Sequence, residues 1–405
     1  MSVAEYVLWG SLALTAYVYV AYPVLVWLLS RVFARAVPKI ETNHVRGTNS
    51  REKWPMISLV IAAYREEKVI LERLKNAVLL DYPADRLEVI IGCDGAEDLT
   101  GELVRSFGDS RVRAIEFSQR RGKASVLNDC IPQAKGEIIV FSDANTMMDR
   151  QALRELVRHF TDPKVGGVCG ELILTDPVTG ENVDGLYWKY ENFLKRAEGR
   201  LGALLGVNGA IYAIRKELYQ PIPTETMVDD FLIGMRIHQS GYRLVYEKRA
   251  IAREETPATV GSEFRRRARI GTGGFQCLAW LWPLLSPLRG RVAFAFWSHK
   301  VLRWLCPTFM VAAIISNAML ARDPFYLRVL LVHEVFYLVS IVGLLYLQGH
   351  RWLRIFRVPG MFVSMNLALL VGFGRWLTGH QGGTWKRTER AGETSPSREH
   401  ERVTH

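Results

Sequence analysis

The chain has 405 residues and a formal net charge of +11, enough length for one large domain with membrane segments or for two modest domains. A basic balance suits nucleic acid, anionic lipid or phosphorylated substrates. No zinc-finger spacing, RNA-binding aromatic motif or basic-zipper heptad is present, so nucleic acid is not an expected partner.

Apolar residues concentrate at the two ends. Residues 6–29 carry no formal charge and are long enough to cross a hydrocarbon core of about 30 Å. Arg31, Arg35 and Lys39 follow, which places that flank in the cytoplasm. The division is a membrane anchor over 1–30, a linker over 31–53 and a soluble domain over 54–260. An interfacial amphipathic segment follows over 261–300, then a membrane region over 301–380 and a disordered polar tail over 381–405. Spans are expected at 304–320, 325–347 and 359–377, with a cytoplasmic basic loop between the last two. The last of these could equally be re-entrant or interfacial. This layout predicts a multi-pass plasma-membrane protein with its soluble domain in the cytoplasm. The five cysteines form no CxxC pair and read as buried, reduced thiols.

The middle alternates between strand and helix. Residues 56–63 are a continuous β-type run, and 66–80 have helical spacing. Strands at 87–93, 112–117 and 137–142 alternate with helices at 99–107 and 123–130. Such alternation predicts an α/β sheet, largely parallel, with helices on both faces. Ligands in such sheets bind beyond the carboxyl ends of the strands. Three strand ends carry polar or acidic groups: Tyr64-Arg65-Glu66, Asp94-Gly95 and Asp143-Ala144-Asn145.

Six stretches carry the chemistry. They are Ile61-Ala62-Ala63-Tyr64-Arg65-Glu66-Glu67, Cys93-Asp94-Gly95-Ala96-Glu97-Asp98, Gly122-Lys123-Ala124-Ser125-Val126-Leu127-Asn128, Asp143-Ala144-Asn145, Val228-Asp229-Asp230-Phe231-Leu232, and Arg266-Arg267-Ala268-Arg269-Ile270. In this order they resemble the family-two glycosyltransferases of the GT-A fold, a Rossmann-like fold for nucleotide-diphospho-sugars with a mixed sheet. The membrane synthases related to cellulose, chitin and hyaluronan synthase are the most similar in layout, and ceramide glucosyltransferases share Arg at the first position of the last motif. The resemblance covers roughly residues 55–276.

The resemblance implies an inverting, metal-dependent hexosyl transfer from a nucleotide-diphospho-sugar, a UDP-sugar first, to a carbohydrate or lipid acceptor beside membrane lipids. Ala63, Tyr64, Glu66, Asp94 and Lys123 would line the nucleotide pocket. Asp143 and Asn145 form a DxD motif written DxN, two oxygen ligands that would grip an Mg²⁺ or Mn²⁺ ion shared with the diphosphate. Asp230 aligns with the catalytic base, with Asp229 capping the helix beside it. Asn208 and Gly209 match the segment beside the acceptor. Arg266 and Arg269 would neutralise the leaving diphosphate, or alternatively bind anionic lipid. Ile270 replaces the usual Trp, which removes a flat stacking surface near a growing polymer. The expected role is polysaccharide synthesis. Single addition to a lipid, an inactive sugar-nucleotide scaffold, and a transporter using Arg328, His333 and Glu334 are the alternatives.

Overall fold

A computed structural model describes residues 1–33, 54–95, 97–175, 185–255, 260–345 and 357–379. The linker beyond residue 33, the basic loop before 357 and the tail from 380 lie outside the described residues, as does Ala96. The chain opens with α1 (Val3–Ala16) and α2 (Tyr22–Val32), joined by one π-helical turn, Tyr17–Ala21. Then come β1 (Ile57–Ala63), α3 (Ile70–Val78), β2 (Leu87–Asp94), α4 (Thr100–Arg105), β3 (Val112–Phe117), α5 (Lys123–Cys130) and β4 (Ile138–Asp143). The second half of the sheet uses β5 (Thr146–Met148), α6 (Ala152–Val157), β6 (Val165–Thr175), α7 (Leu186–Leu201), β7 (Tyr212–Arg215), α8 (Asp229–Gln239) and β8 (Arg243–Glu255). Five helices follow: α9 (Val260–Leu281), α10 (Arg291–Ala295), α11 (Leu302–Leu320), α12 (Pro324–Leu345) and α13 (Arg357–Leu377).

The strands form one sheet in the order β3-β2-β1-β4-β7-β6-β8-β5. The β3-β2-β1-β4 half is parallel, as the alternation of strands and helices requires. β7 then runs antiparallel to both β4 and β6, and β5 antiparallel to β8, so the sheet is mixed. Because side chains alternate along a strand, β1 feeds two cores. Leu59 and Ile61 pack with Leu74, Ile91 and Leu153 on one face. Val60 and Ala62 pack with Val126, Phe141 and Leu232 on the other, and that core runs on into Tyr22, Phe275, Phe296 and Trp304. Burying each such side chain contributes about 1.5–3 kcal/mol. One apolar core therefore joins the sheet to the helices at both chain ends. All five cysteines are buried and unpaired.

Among the described residues, four helical segments are long and apolar enough to cross a bilayer: Val3–Val32, Arg291–Leu320, Pro324–Leu345 and Val358–Leu377. The second begins at Arg291 rather than at residue 304. Its charged residues obscure the apolar run in the sequence, and the fold turns His299 and Arg303 inward. His299 Nδ1 lies 2.6 Å from Glu198 Oε1, and Arg303 donates to Glu191 Oε1 at 2.5 Å, both acids being on α7. The last of these segments, α13, is a continuous helix of 21 residues.

The α9–α13 contact joins the arginine-rich helix to the last span. Thr272 Oγ1 donates to the Gly372 carbonyl at 3.2 Å. A Cβ at position 372 would lie 2.7 Å from the Ala268 carbonyl oxygen and 2.8 Å from the Thr272 nitrogen, both backbone atoms. Gly372→Ala should therefore cost about 1–3 kcal/mol through overpacking. A lower melting temperature of the detergent-solubilised protein would register it; an unchanged one would show that the helices part freely here.

Candidate active site

Parallel pairing sets the rim. Ala62 pairs with Asp143 and Ala63 with Cys93, so the ends of β1, β2 and β4 lie side by side. Asp94 is fully buried. Its Oδ1 accepts from the Arg121 N–H at 2.7 Å and its Oδ2 from the Gly122 N–H at 2.8 Å. The sequence suggests that Asp94 touches the base or ribose. In the fold its carboxylate instead grips the 120–122 loop, because two backbone N–H groups converge on it. That grip aims the next residue, Lys123, across the rim.

Lys123 is the junction of the site. Its Nζ donates to Asp143 Oδ1 at 2.8 Å and lies 3.4 Å from Asp229 Oδ2. Burial opposes the charge, yet Asp143 and Asp229 outweigh it and raise the ammonium above the usual lysine range. Asp143 is 35% exposed and Asp229 only 14%, so the first carboxylate faces the cleft and the second its floor. Next to Asp229, the Asp230 carboxylate accepts from the Phe231 N–H at 2.8 Å and the Gly209 N–H at 3.0 Å. A Cβ at 209 would stand 3.1 Å from Asp230 Oδ2, so a side chain there would push the acid aside. Burial, then the like charge of Asp229, raises the Asp230 carboxyl above the usual carboxylate range, against the pull of Lys123.

The DxN turn is clamped from below by two residues that the sequence analysis does not single out. Arg73 on α3 is fully buried, and burial lowers its guanidinium to about 10. Its Nε donates to the Asp143 carbonyl at 3.4 Å and its Nη1 to Asn76 Oδ1 at 2.9 Å. Asn76 brackets Met148 by accepting from its N–H at 3.0 Å and donating to its carbonyl at 2.9 Å. From above, Asn145 Nδ2 donates to Glu254 Oε1 at 3.2 Å. Glu254 arrives because β5 pairs with β8, Thr146 opposite Glu254. No local pattern in the sequence marks it. Tyr212 on β7 stacks face to face on Phe141 at 4.2 Å, beneath the acidic groups. Burial and Asp229 push its hydroxyl well above its ordinary value, so it stays protonated.

The remaining expected residues divide. Ala63 is buried and offers only backbone. Tyr64 donates to Glu97 Oε2 at 3.1 Å and carries the Arg120 guanidinium 3.9 Å above its ring. Arg65 takes the left-handed region at φ 55°, a conformation Asn adopts at less cost than Arg, and its guanidinium pairs with Glu97. The Glu66 N–H donates to Thr100 Oγ1 at 2.9 Å. Asn208 does not line the cleft. Its Nδ2 donates to the Gly170 carbonyl at 2.7 Å and its Oδ1 accepts from Lys195, so it positions that lysine. Arg266 lies 3.4 Å from Glu263 Oε2 and also attracts Glu254. Arg269 is exposed and donates to the Met227 carbonyl at 3.5 Å, apart from the Lys123 group. Gln276 and Gly273 on α9 seat the 225–228 segment that leads into Asp229: the Met227 N–H donates to Gln276 Oε1 at 3.3 Å, and a Cβ at 273 would meet Val228.

An acidic rim at the carboxyl ends of a doubly wound mixed sheet defines a GT-A-type α/β enzyme fold. The overall fold is similar to that of the mannosyltransferase PcManGT from Pyrobaculum calidifontis, solved in complex with GDP-Man and Mn²⁺. The TM-score is 0.67 over 94% of this chain and 100% of that one, at 22% identity. Residues 55–273 match the model of the "Glycosyltransferase like family 2" family, and the chain belongs to that family. Among curated proteins it is 26% identical over 276 residues to the poly-beta-1,6-N-acetyl-D-glucosamine synthase of Staphylococcus epidermidis, covering 64% of this chain and 66% of that protein. The synthase of the same name from Staphylococcus aureus is 28% identical over 229 residues, 55% of each chain. The chain thus spans about half to about two thirds of these relatives.

Asp94→Asn places an amide NH₂ against one of the two loop N–H donors, which should cost about 1–3 kcal/mol. The melting temperature should fall, and trypsin should cut faster at Arg120 and Arg121, as read by mass analysis of the fragments. Unchanged cleavage would show that the loop is held by other means.

Proposed function

We propose that the chain is an inverting, metal-dependent glycosyltransferase of polysaccharide synthesis, using a nucleotide-diphospho-sugar at the cytoplasmic face of the plasma membrane. One observation carries the reading. Lys123 ties Asp143, on the open side of the rim, to Asp229 and its neighbour Asp230, at its floor. Acidic groups far apart in the chain thereby meet in one cleft. The four long apolar helices, with Arg31 closing the first and Arg291 opening the second, support a multi-pass arrangement with the sheet in the cytoplasm.

Asp143 and Asn145 suit a hard cation such as Mg²⁺ or Mn²⁺, since both offer oxygen. Among the described residues no three His, Cys, Asp or Glu side chains converge as a self-sufficient metal site. A cation here therefore needs substrate oxygens and water to complete its shell, as a diphosphate provides. When bound, it supplies Lewis-acid neutralisation of the leaving diphosphate. Asp230 takes the proton from the acceptor hydroxyl as that oxygen attacks the anomeric carbon. The bond from that carbon to the diphosphate oxygen breaks on the opposite face, which inverts configuration. Lys123, with Arg266 from α9, places positive charge beside the departing group. Tyr64 and Arg120 form a flat cationic surface for base or ribose, and Asp94 acts through the loop it holds.

A polymer product is supported by the names of the relatives, and a UDP-sugar is the first donor to test. A glycolipid product is favoured by one residue, Ile270 in place of Trp. Membranes carrying the protein, incubated with UDP-, GDP- and dTDP-sugars and Mn²⁺, should yield a product ladder by mass analysis; one extractable lipid would replace the polymer reading. Asp143→Ala and Asp230→Ala should each lower turnover by about 10²–10⁴-fold while membrane insertion persists. Robust transfer by either variant rejects these assignments.

The raised Asp230 pKa fixes a pH dependence. A base works only when deprotonated, so kcat/KM should rise with pH along a limb displaced above the ordinary carboxylate range. Asp229→Asn removes the neighbouring negative charge and should move that limb to lower pH. A limb that stays in place would show that Asp230 is not the titrating group.

A further inference from the structure

The rim contains an unusual donor, a neutral amide where a second carboxylate is expected. An amide has two unlike ends. Its oxygen attracts a cation, and its NH₂ repels one. A DxN motif therefore works only if something decides which end of Asn145 faces the site. Resting on the metal-dependent reading above, we propose that Glu254 is a positioning residue. It holds the Asn145 amide by its nitrogen, so that the carbonyl oxygen is the end left beside Asp143.

The geometry supports this at each step. Asn145 Nδ2 donates to Glu254 Oε1 at 3.2 Å, and no hydrogen bond to Asn145 Oδ1 is made among the described residues. Glu254 is not free to wander. Its backbone pairs with Thr146 on one side and with Leu174 on the other, and its carbonyl accepts from Thr175 Oγ1 at 3.4 Å. Its side chain is half-buried, within electrostatic range of both Asp143 and Arg266. The Asp143 end of the turn is held separately, by Arg73 on its carbonyl. The Asp143 backbone is thus held from α3 and its carboxylate from α5 by Lys123, while the Asn145 amide is held independently from β8. Groups that orient metal ligands in this way commonly matter about 10–100-fold in metal affinity.

Mn²⁺ binding by the full-length protein in detergent, read by electron paramagnetic resonance with UDP or GDP present, tests the proposal. Glu254→Ala should weaken Mn²⁺ by about tenfold or more. Glu254→Gln, whose carbonyl still accepts from Nδ2, should stay within about threefold of the native protein. In an Asn145→Ala background, Glu254→Ala should cost nothing further, because no amide remains to be oriented. Nucleotide affinity without metal and the melting temperature of Glu254→Gln should be unchanged. Native Mn²⁺ affinity in Glu254→Ala overturns the proposal. So does Glu254→Gln losing as much as Glu254→Ala, which would make the carboxylate itself a ligand. If the native protein takes up no Mn²⁺ with either nucleotide, the cation reading of the rim falls and this inference with it.

Discussion

The cleft is organised by one partly buried ammonium group. Lys123 sits between Asp143 and Asp229 and is the cation in direct contact with both, so it offsets most of the repulsion among the carboxylates gathered there. Burying a lysine is costly, and the cost is met only because two acids contact it directly. The same contact gives the pocket its polarity. Asp143 is drawn toward the lysine on the open side, while Asp230 lies next to Asp229 on the inner side, where burial and like charge keep its proton affinity high. The two sets of carboxylates and the ammonium group between them are set by one electrostatic balance rather than by three separate ones.

That balance depends on parts of the fold far from the cleft. Asp94 spends its charge on the loop that delivers Lys123. Arg73 and Asn76 direct their hydrogen bonds to the turn that presents Asp143. On the inner side, α9 packs simultaneously against the 225–228 segment and against α13, through Gly273 and Gly271 respectively. Asp229 and Asp230 are therefore braced by a helix that is itself braced by an apolar span. On the other flank, α7 sends Lys195 to Asn208 beneath the site and Glu191 and Glu198 to Arg303 and His299 of the second span. Close packing and buried ion pairs transmit position efficiently, so the orientation of the cleft relative to the apolar helices is tightly determined.

Much of this was legible in the amino-acid order. Continuous β-type runs and helical spacing located β1 to β4 and their helices within a few residues, because buried parallel strands need uninterrupted apolar stretches. The acidic strand ends were visible for the same reason: a polar group immediately after an apolar run marks the rim. The motif sequence also pointed to the family that residues 55–273 match. Three of the expected positions hold their places through contacts that the residue order does not display. Asp94, Asn208 and Ala63 are buried and support the site through its backbone or through another side chain.

What the order of residues could not reveal is which distant groups become neighbours. Glu254 lies 109 positions from Asn145 and meets it only because β5 pairs with β8. Arg73 looks like one more charged residue on an amphipathic helix until α3 turns it under the β4 turn. His299 and Arg303 interrupt an apolar run, and only the acids on α7 explain how a continuous helix accommodates them. The sequence by itself determined the periodicities, the apolar ends and the chemistry offered at each strand terminus, since these are local. The partners of each charge were decided by tertiary structure, because an ion pair or hydrogen bond depends on distance in space, and sheet order and helix packing set that distance.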